Sequence, residues 1–168
     1  MIQLKVCMVG SFAVGKTSLV RRYVETLFSE KYQTTVGVKV DRKDVVVGSS
    51  PVRLMIWDLA GEDAFSRLQS TFLRGAAGYL LVADGTRAHT LDVSLELQRQ
   101  IEASVGRIPF ALVMNKQDIE SQWEVEAERL EHLERSGMQV FRTSAKDGLG
   151  VDTIFTYLAS LHLLGRAS

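Results

Sequence analysis

Residues Gly10-Ser11-Phe12-Ala13-Val14-Gly15-Lys16-Thr17 fit the pattern G-x-x-x-x-G-K-[ST], and the residues on either side constrain its shape. Leu4–Val9 is a short, almost continuously apolar run that reads as a strand. Leu19, Val20, Tyr23, Val24 and Leu27 then recur at helical spacing. A strand that passes through a glycine-bounded turn into a helix N-terminus creates a concave set of backbone N–H groups. The helix dipole reinforces that cradle, which suits an anion. A lysine at position 16 supplies a mobile positive charge for β- and γ-phosphates, and a hydroxyl at Thr17 suits Mg²⁺. The unit predicts a nucleoside triphosphate ligand. It leaves open adenine or guanine, and motor, kinase or switch.

Strand-like and helix-like patterns alternate along the rest of the chain. The strand segments are Leu4–Val9, Val38–Val47, Val52–Asp58, Gly78–Asp84, Phe110–Asn115 and Gln139–Thr143. The helical ones are Lys16–Leu27, a short segment near Phe65–Leu73, Leu91–Val105, Glu124–Ser136 and Val151–Leu164. Val93, Leu97, Ile101 and Val105 form one apolar stripe, and Ile154, Phe155, Leu158 and Leu161 another, both read as core-facing. Such alternation predicts an α/β fold in three layers: a six-stranded, mostly parallel sheet with five main helices on its faces. Val38–Val47, Gly48-Ser49-Ser50-Pro51 and Val52–Asp58 read as a hairpin, which makes one edge strand antiparallel. In such sheets ligands bind beyond the carboxyl ends of the strands. The Gly10 loop, Asp58, Asn115 and Ser144 all fall on that rim.

The 168 residues suffice for one domain, residues 1–168, with a substantial core. Twenty Lys and Arg balance twenty Asp and Glu. That balance argues against general nucleic-acid binding, which requires a basic excess. Cys7 is the sole cysteine and lies in the first strand pattern, excluding an internal disulfide and fitting a reducing, cytoplasmic setting. His89, His132 and His162 lack metal-ligand spacing, and Glu124–Glu134 reads as a solvated helix face. With no signal segment, spanning run, myristoylation site or prenylatable cysteine in the sequence, no membrane anchor is expected.

The base follows from Asn115-Lys116-Gln117-Asp118 after the fifth strand and Thr143-Ser144-Ala145-Lys146 after the sixth. Guanine offers N1–H and its 2-amino group to one carboxylate, which Asp118 can accept as a bidentate pair. Adenine would set a lone pair against that carboxylate, at a cost of about 1–3 kcal/mol or more. A backbone N–H near Ala145 can donate to guanine O6, and the stems of Lys116 and Lys146 can flank the base.

These segments resemble the small GTPases of the Ras superfamily, of the P-loop NTPase fold. Five motifs stand in order: Gly10–Thr17, Thr35-Val36-Gly37, Trp57-Asp58-Leu59-Ala60-Gly61, Asn115–Asp118 and Ser144–Lys146. Thr34–Val38 and Phe72-Leu73-Arg74-Gly75-Ala76 are more similar to Rab sequences than to Ras ones. The resemblance implies that the N–H groups of Ala13, Val14, Gly15, Lys16 and Thr17 hold the β-phosphate, with Gly10 and Ser18 also at the nucleotide. It implies Mg²⁺ on Thr17, Thr35 and Asp58, the last through water, and the γ-phosphate on the Gly61 N–H. Phe28 corresponds to the aromatic that packs on guanine; the other reading is a core phenylalanine. Lys16, Thr35, Gly61 and Glu62 fall at the catalytic positions. The implied output is a GTP/GDP switch in which phosphate loss releases the Thr35 and Gly61 loops. Its partners would be a protein effector and an exchange factor or activator, and a monomer is expected.

Two departures bear on chemistry and a third, at Val40, on effectors. Glu62 stands where active family members carry glutamine; it can accept a hydrogen bond from water but cannot donate one, so either sign of effect on hydrolysis is open. Phe12 replaces a small residue and either crowds the γ-phosphate, blocking a partner's arginine, or turns outward onto the second loop. Val40 replaces an aromatic beside Trp57 and Phe72, which serve either effector binding or internal packing. Slow hydrolysis is therefore expected, with a nucleotide-retaining module as the second reading. An ATP-dependent kinase is disfavoured by the guanine motifs and by the lack of an arginine-rich lid.

Overall fold

The computed structural model describes residues 1–26, 37–59 and 71–167. β1 (Ile2–Gly10) lies near the middle of a six-stranded sheet. It is flanked in parallel by β3 (Ser50–Leu59) and β4 (Gly78–Asp84). β5 (Phe110–Asn115) and β6 (Val140–Arg142) continue the parallel series, and β2 (Val38–Val47) closes the opposite edge antiparallel to β3. The order is β2-β3-β1-β4-β5-β6.

Period-two alternation sends β1 side chains to both faces, and both faces are covered. Leu4, Val6 and Met8 pack with Leu19, Val20 and Tyr23 of α1 (Lys16–Glu25) and Ile154, Phe155 and Leu158 of α4 (Val151–Ala167). Tyr23 and Phe155 stack at 4.1 Å between ring centroids. On the other face Cys7 and Val9 join Leu91, Leu97 and Ile101 of α2 (Ala88–Val105) and Leu130 of α3 (Ala127–Arg135). Cys7 is a buried strand residue, as expected; burial pushes its thiol up to about 12, with Lys5 opposing.

Several boundaries differ from the sequence reading by one to three residues, and two of the differences have a visible physical reason. β3 starts at Ser50, so the hairpin turn shrinks to Gly48-Ser49; Pro51 joins the strand opposite Val46 because pairing with β1 begins only at Val52. The helix expected from Glu124 starts instead at Ala127. The N–H groups of Glu124 and Val125 both donate to Gly85 O, which ties this stretch to the loop after β4 instead of to a helix. A 3₁₀ helix, Gln117–Gln122, precedes that stretch. Of the helix expected near Phe65–Leu73, residues 71–73 are helical and the rest lies outside the described residues. Among the described residues, no helix is long and apolar enough to cross a membrane.

Candidate functional site

The carboxyl ends of β1, β3, β4 and β5 and the loop after β6 meet on one rim. α1 begins there without a side-chain cap and with no acidic residue in its first turn. First-turn amides have no acceptor within their own helix, so such an end favours an anion. Lys16 is 6% exposed and donates through Nζ to Gly10 O at 2.8 Å and Ser11 O at 3.0 Å. Burial lowers its ammonium from 10.5 to about 8, with the Asp58 charge opposing.

At the end of β3, buried Asp58 accepts a 2.6 Å hydrogen bond from Thr17 Oγ1 through Oδ2. Two hard oxygens thus sit side by side at the start of α1. Among the described residues no group of three or more His, Cys, Asp or Glu can hold a metal. This pair instead suits Mg²⁺, which commonly takes one or two protein oxygens and completes its shell with phosphate and water.

Asn115 ties the rim together. Its Nδ2 donates to Val14 O at 3.0 Å, while Oδ1 accepts from Thr143 Oγ1 at 3.1 Å and from Ala145 N at 3.3 Å. Gly15 is the reason Asn115 reaches the loop: at φ +103°, a Cβ there would stand 2.3 Å from Asn115 Nδ2. Ser144, fully buried, donates to Asp118 Oδ1 at 2.8 Å and orients that exposed carboxylate. Ser144 Oγ also accepts from Asp147 N at 2.9 Å. Ala13, Val14, Gly15, Lys16, Thr17, Asp58, Asn115, Asp118, Ser144 and Ala145 are thus brought together on one rim. Phe28, Thr35, Gly61 and Glu62 lie outside the described residues.

Four supporting residues were not read from the sequence. Asp84 ends β4 fully buried, and its Oδ2 accepts from Lys116 Nζ at 2.7 Å and Arg87 Nε at 3.0 Å. Burial would raise its carboxyl, but the hydrogen bonds from Lys116 and Thr86 and the Lys116 charge outweigh it and hold it low. Arg22 of α1 donates through Nε to Ala145 O at 2.8 Å, and its Nη2 also donates to Lys146 O. Trp123 Nε1 donates to Lys116 O at 2.9 Å, supporting a residue whose φ is +75°. The Trp123 ring lies so close over Gly85 that a Cβ there would fall 2.1 Å from it. Asp84 alone had a readable signal, a carboxylate ending a strand on the binding rim.

A family model for the Ras family matches residues 5–163. The chain belongs to the Ras family. Its similar relatives include Rab proteins, so this is a Rab-like member of the superfamily. Ras-related protein Rab-12 of Mus musculus is 36% identical over 159 residues, 93% of this chain. Rab-3C of Bos taurus is 33% identical over 94% of this chain and 70% of its own length. Rab-13 of Bos taurus is 33% identical over 92% and 77%. The Rab-like chain spans 65% of the length of Rab-12.

The lowered Lys16 pKa has a definite consequence for this Rab-like domain. The unfolded chain holds that proton more tightly between about pH 8 and 10.5, so stability from this group rises with pH across the window. In urea unfolding of ligand-free protein, the wild type should gain on the order of 2 kcal/mol relative to Lys16→Met between pH 7.5 and 10. A difference independent of pH would contradict the buried, charged lysine.

Proposed function

We propose that this chain is a guanine-nucleotide switch that binds GTP and GDP with Mg²⁺, hydrolyses GTP slowly and signals to a protein effector. The observation that carries the reading is the Asn115 carboxamide, which joins the phosphate loop at Val14 O to the Ala145 amide. Asp118, steadied by Ser144, would accept the two donors of a guanine edge, with the Ala145 N–H and the stems of Lys116 and Lys146 flanking the ring. The phosphates would lie on the amides of Ala13 to Thr17 and Ser18 with Lys16. Thr17, Asp58 and Thr35 would hold Mg²⁺, which when bound offsets phosphate charge. Thr35 and Gly61 would sense the γ-phosphate. The effector would meet the face carrying Trp57 and Phe72, whose rings lie 5.8 Å apart beside Val40, the register partner of Trp57.

The base assignment is tested by calorimetric titration with GTP, ATP and xanthosine triphosphate. GTP should bind at least about 100-fold more tightly than ATP, because adenine leaves the Asp118 carboxylate unpaired. Asp118→Asn sets an amide donor against the guanine donors, so GTP should weaken by about 100-fold while xanthosine triphosphate, which has a carbonyl there, improves. Equal affinity for ATP and GTP would overturn the assignment.

A second reading, a nucleotide-retaining module with negligible turnover, is favoured by Phe12, which is 49% exposed within the phosphate loop. Its ring replaces the small residue through which a partner's arginine would reach the phosphates. Single-turnover GTP hydrolysis separates the two readings. A slow but measurable rate that rises in Phe12→Gly or Glu62→Gln is expected of the switch. Rates unchanged in both variants would contradict the roles given to Phe12 and Glu62, and no hydrolysis in any variant would leave the retaining module.

A further inference from the structure

Ala13 adopts φ +60°, the left-handed region that glycine enters freely and a residue with a Cβ resists. Such a conformation persists where its surroundings determine it. The peptide that enters Ala13 is held from outside the loop. Phe12 O accepts a 3.0 Å hydrogen bond from Nη2 of Arg87, a residue 75 positions later in the sequence.

Arg87 is well placed to act as a fixed support. It occupies the cap position before α2, and its Nε donates to Asp84 Oδ2 at 3.0 Å. Asp84 is itself locked, with Oδ1 accepting from Thr86 N at 2.8 Å and Thr86 Oγ1 at 2.7 Å. Lys116 Nζ shares Oδ2 at 2.7 Å. A planar guanidinium with one donor on a buried carboxylate and another on a carbonyl has little freedom left.

A peptide unit is planar and trans, so its C=O and N–H point in opposite directions. Fixing Phe12 O on Arg87 therefore aims the Ala13 N–H away from α2. We propose that Arg87 is a positioning residue for the phosphate loop, which holds the Phe12–Ala13 peptide so that the Ala13 N–H is presented to the β-phosphate of a guanosine diphosphate or triphosphate. This proposal rests on the nucleotide-binding reading above. Arg87 touches no ligand itself; it compensates for an alanine at a backbone position that favours glycine. Through Asp84 it also links the phosphate loop to Lys116 of the base-recognition segment.

The test compares GDP with GMP, which lacks the β-phosphate, in competition binding to wild type, Arg87→Ala and Arg87→Lys. Apo melting curves verify that each variant is folded. Arg87→Ala should weaken GDP about tenfold and GMP less than about twofold, as expected for losing one charge-assisted hydrogen bond that acts on the β-phosphate seat. Arg87→Lys keeps the charge but cannot span both Asp84 Oδ2 and Phe12 O, so it should resemble Arg87→Ala. In an Ala13→Gly background the left-handed conformation costs nothing, and adding Arg87→Ala should weaken GDP by only about threefold or less. A GDP-to-GMP affinity ratio unchanged by Arg87→Ala, or equal losses for the two ligands, would overturn the proposal while leaving nucleotide binding intact. A wild type that binds no guanine nucleotide would overturn the underlying reading and the proposal with it.

Discussion

The Asn115 carboxamide is the joint through which separate loops become one surface. Its amide nitrogen holds the carbonyl of Val14 and its oxygen receives the Thr143 hydroxyl and the Ala145 amide. These segments come from opposite ends of the chain. Each bond contributes about 1 kcal/mol net, yet the cost of leaving a buried carboxamide unsatisfied is larger. The joint is therefore closer to all-or-none than its individual bonds suggest. It also explains why position 15 is glycine, since a methyl group there would occupy the space of the carboxamide.

Asp84 is a second joint, built on charge. One buried carboxylate receives Lys116 and Arg87, and Arg87 continues to the phosphate loop. Arg22 adds a third link, from α1 to the carbonyls of Ala145 and Lys146. In each case the cation binds protein oxygens beside the site. The segments that would meet base and phosphate are thus coupled to one another through the protein's own groups. Preorganisation of this kind lowers the ordering cost of binding.

The fold was legible because its signals are local and redundant. β4 is apolar on both faces, as strands covered by helices must be, β1 is nearly so, and α2 and α4 carry apolar stripes. Boundaries set by tertiary partners were not legible. Nothing in Trp123-Glu124-Val125 announces that two of its amides belong to Gly85 O, so the start of α3 was read too early. The same distinction separates the two kinds of site residue. Lys16, Asn115 and Asp118 belong to short motifs whose spacing carries their chemistry. Arg22 and Arg87 act on carbonyls 123 and 75 positions away, and an isolated arginine on a helix or at its start carries no sign of such a partner.

The central claim is that the Asn115-centred rim receives a guanine nucleotide. Its most direct test is the identity of the small molecule retained by the purified full chain, released by denaturation and resolved by ion-pair chromatography. GDP or GTP is expected in near-stoichiometric amount from the wild type, with most of it lost from Asn115→Ala. Adenine nucleotide in place of guanine, or guanine nucleotide retained undiminished by Asn115→Ala, would contradict the claim.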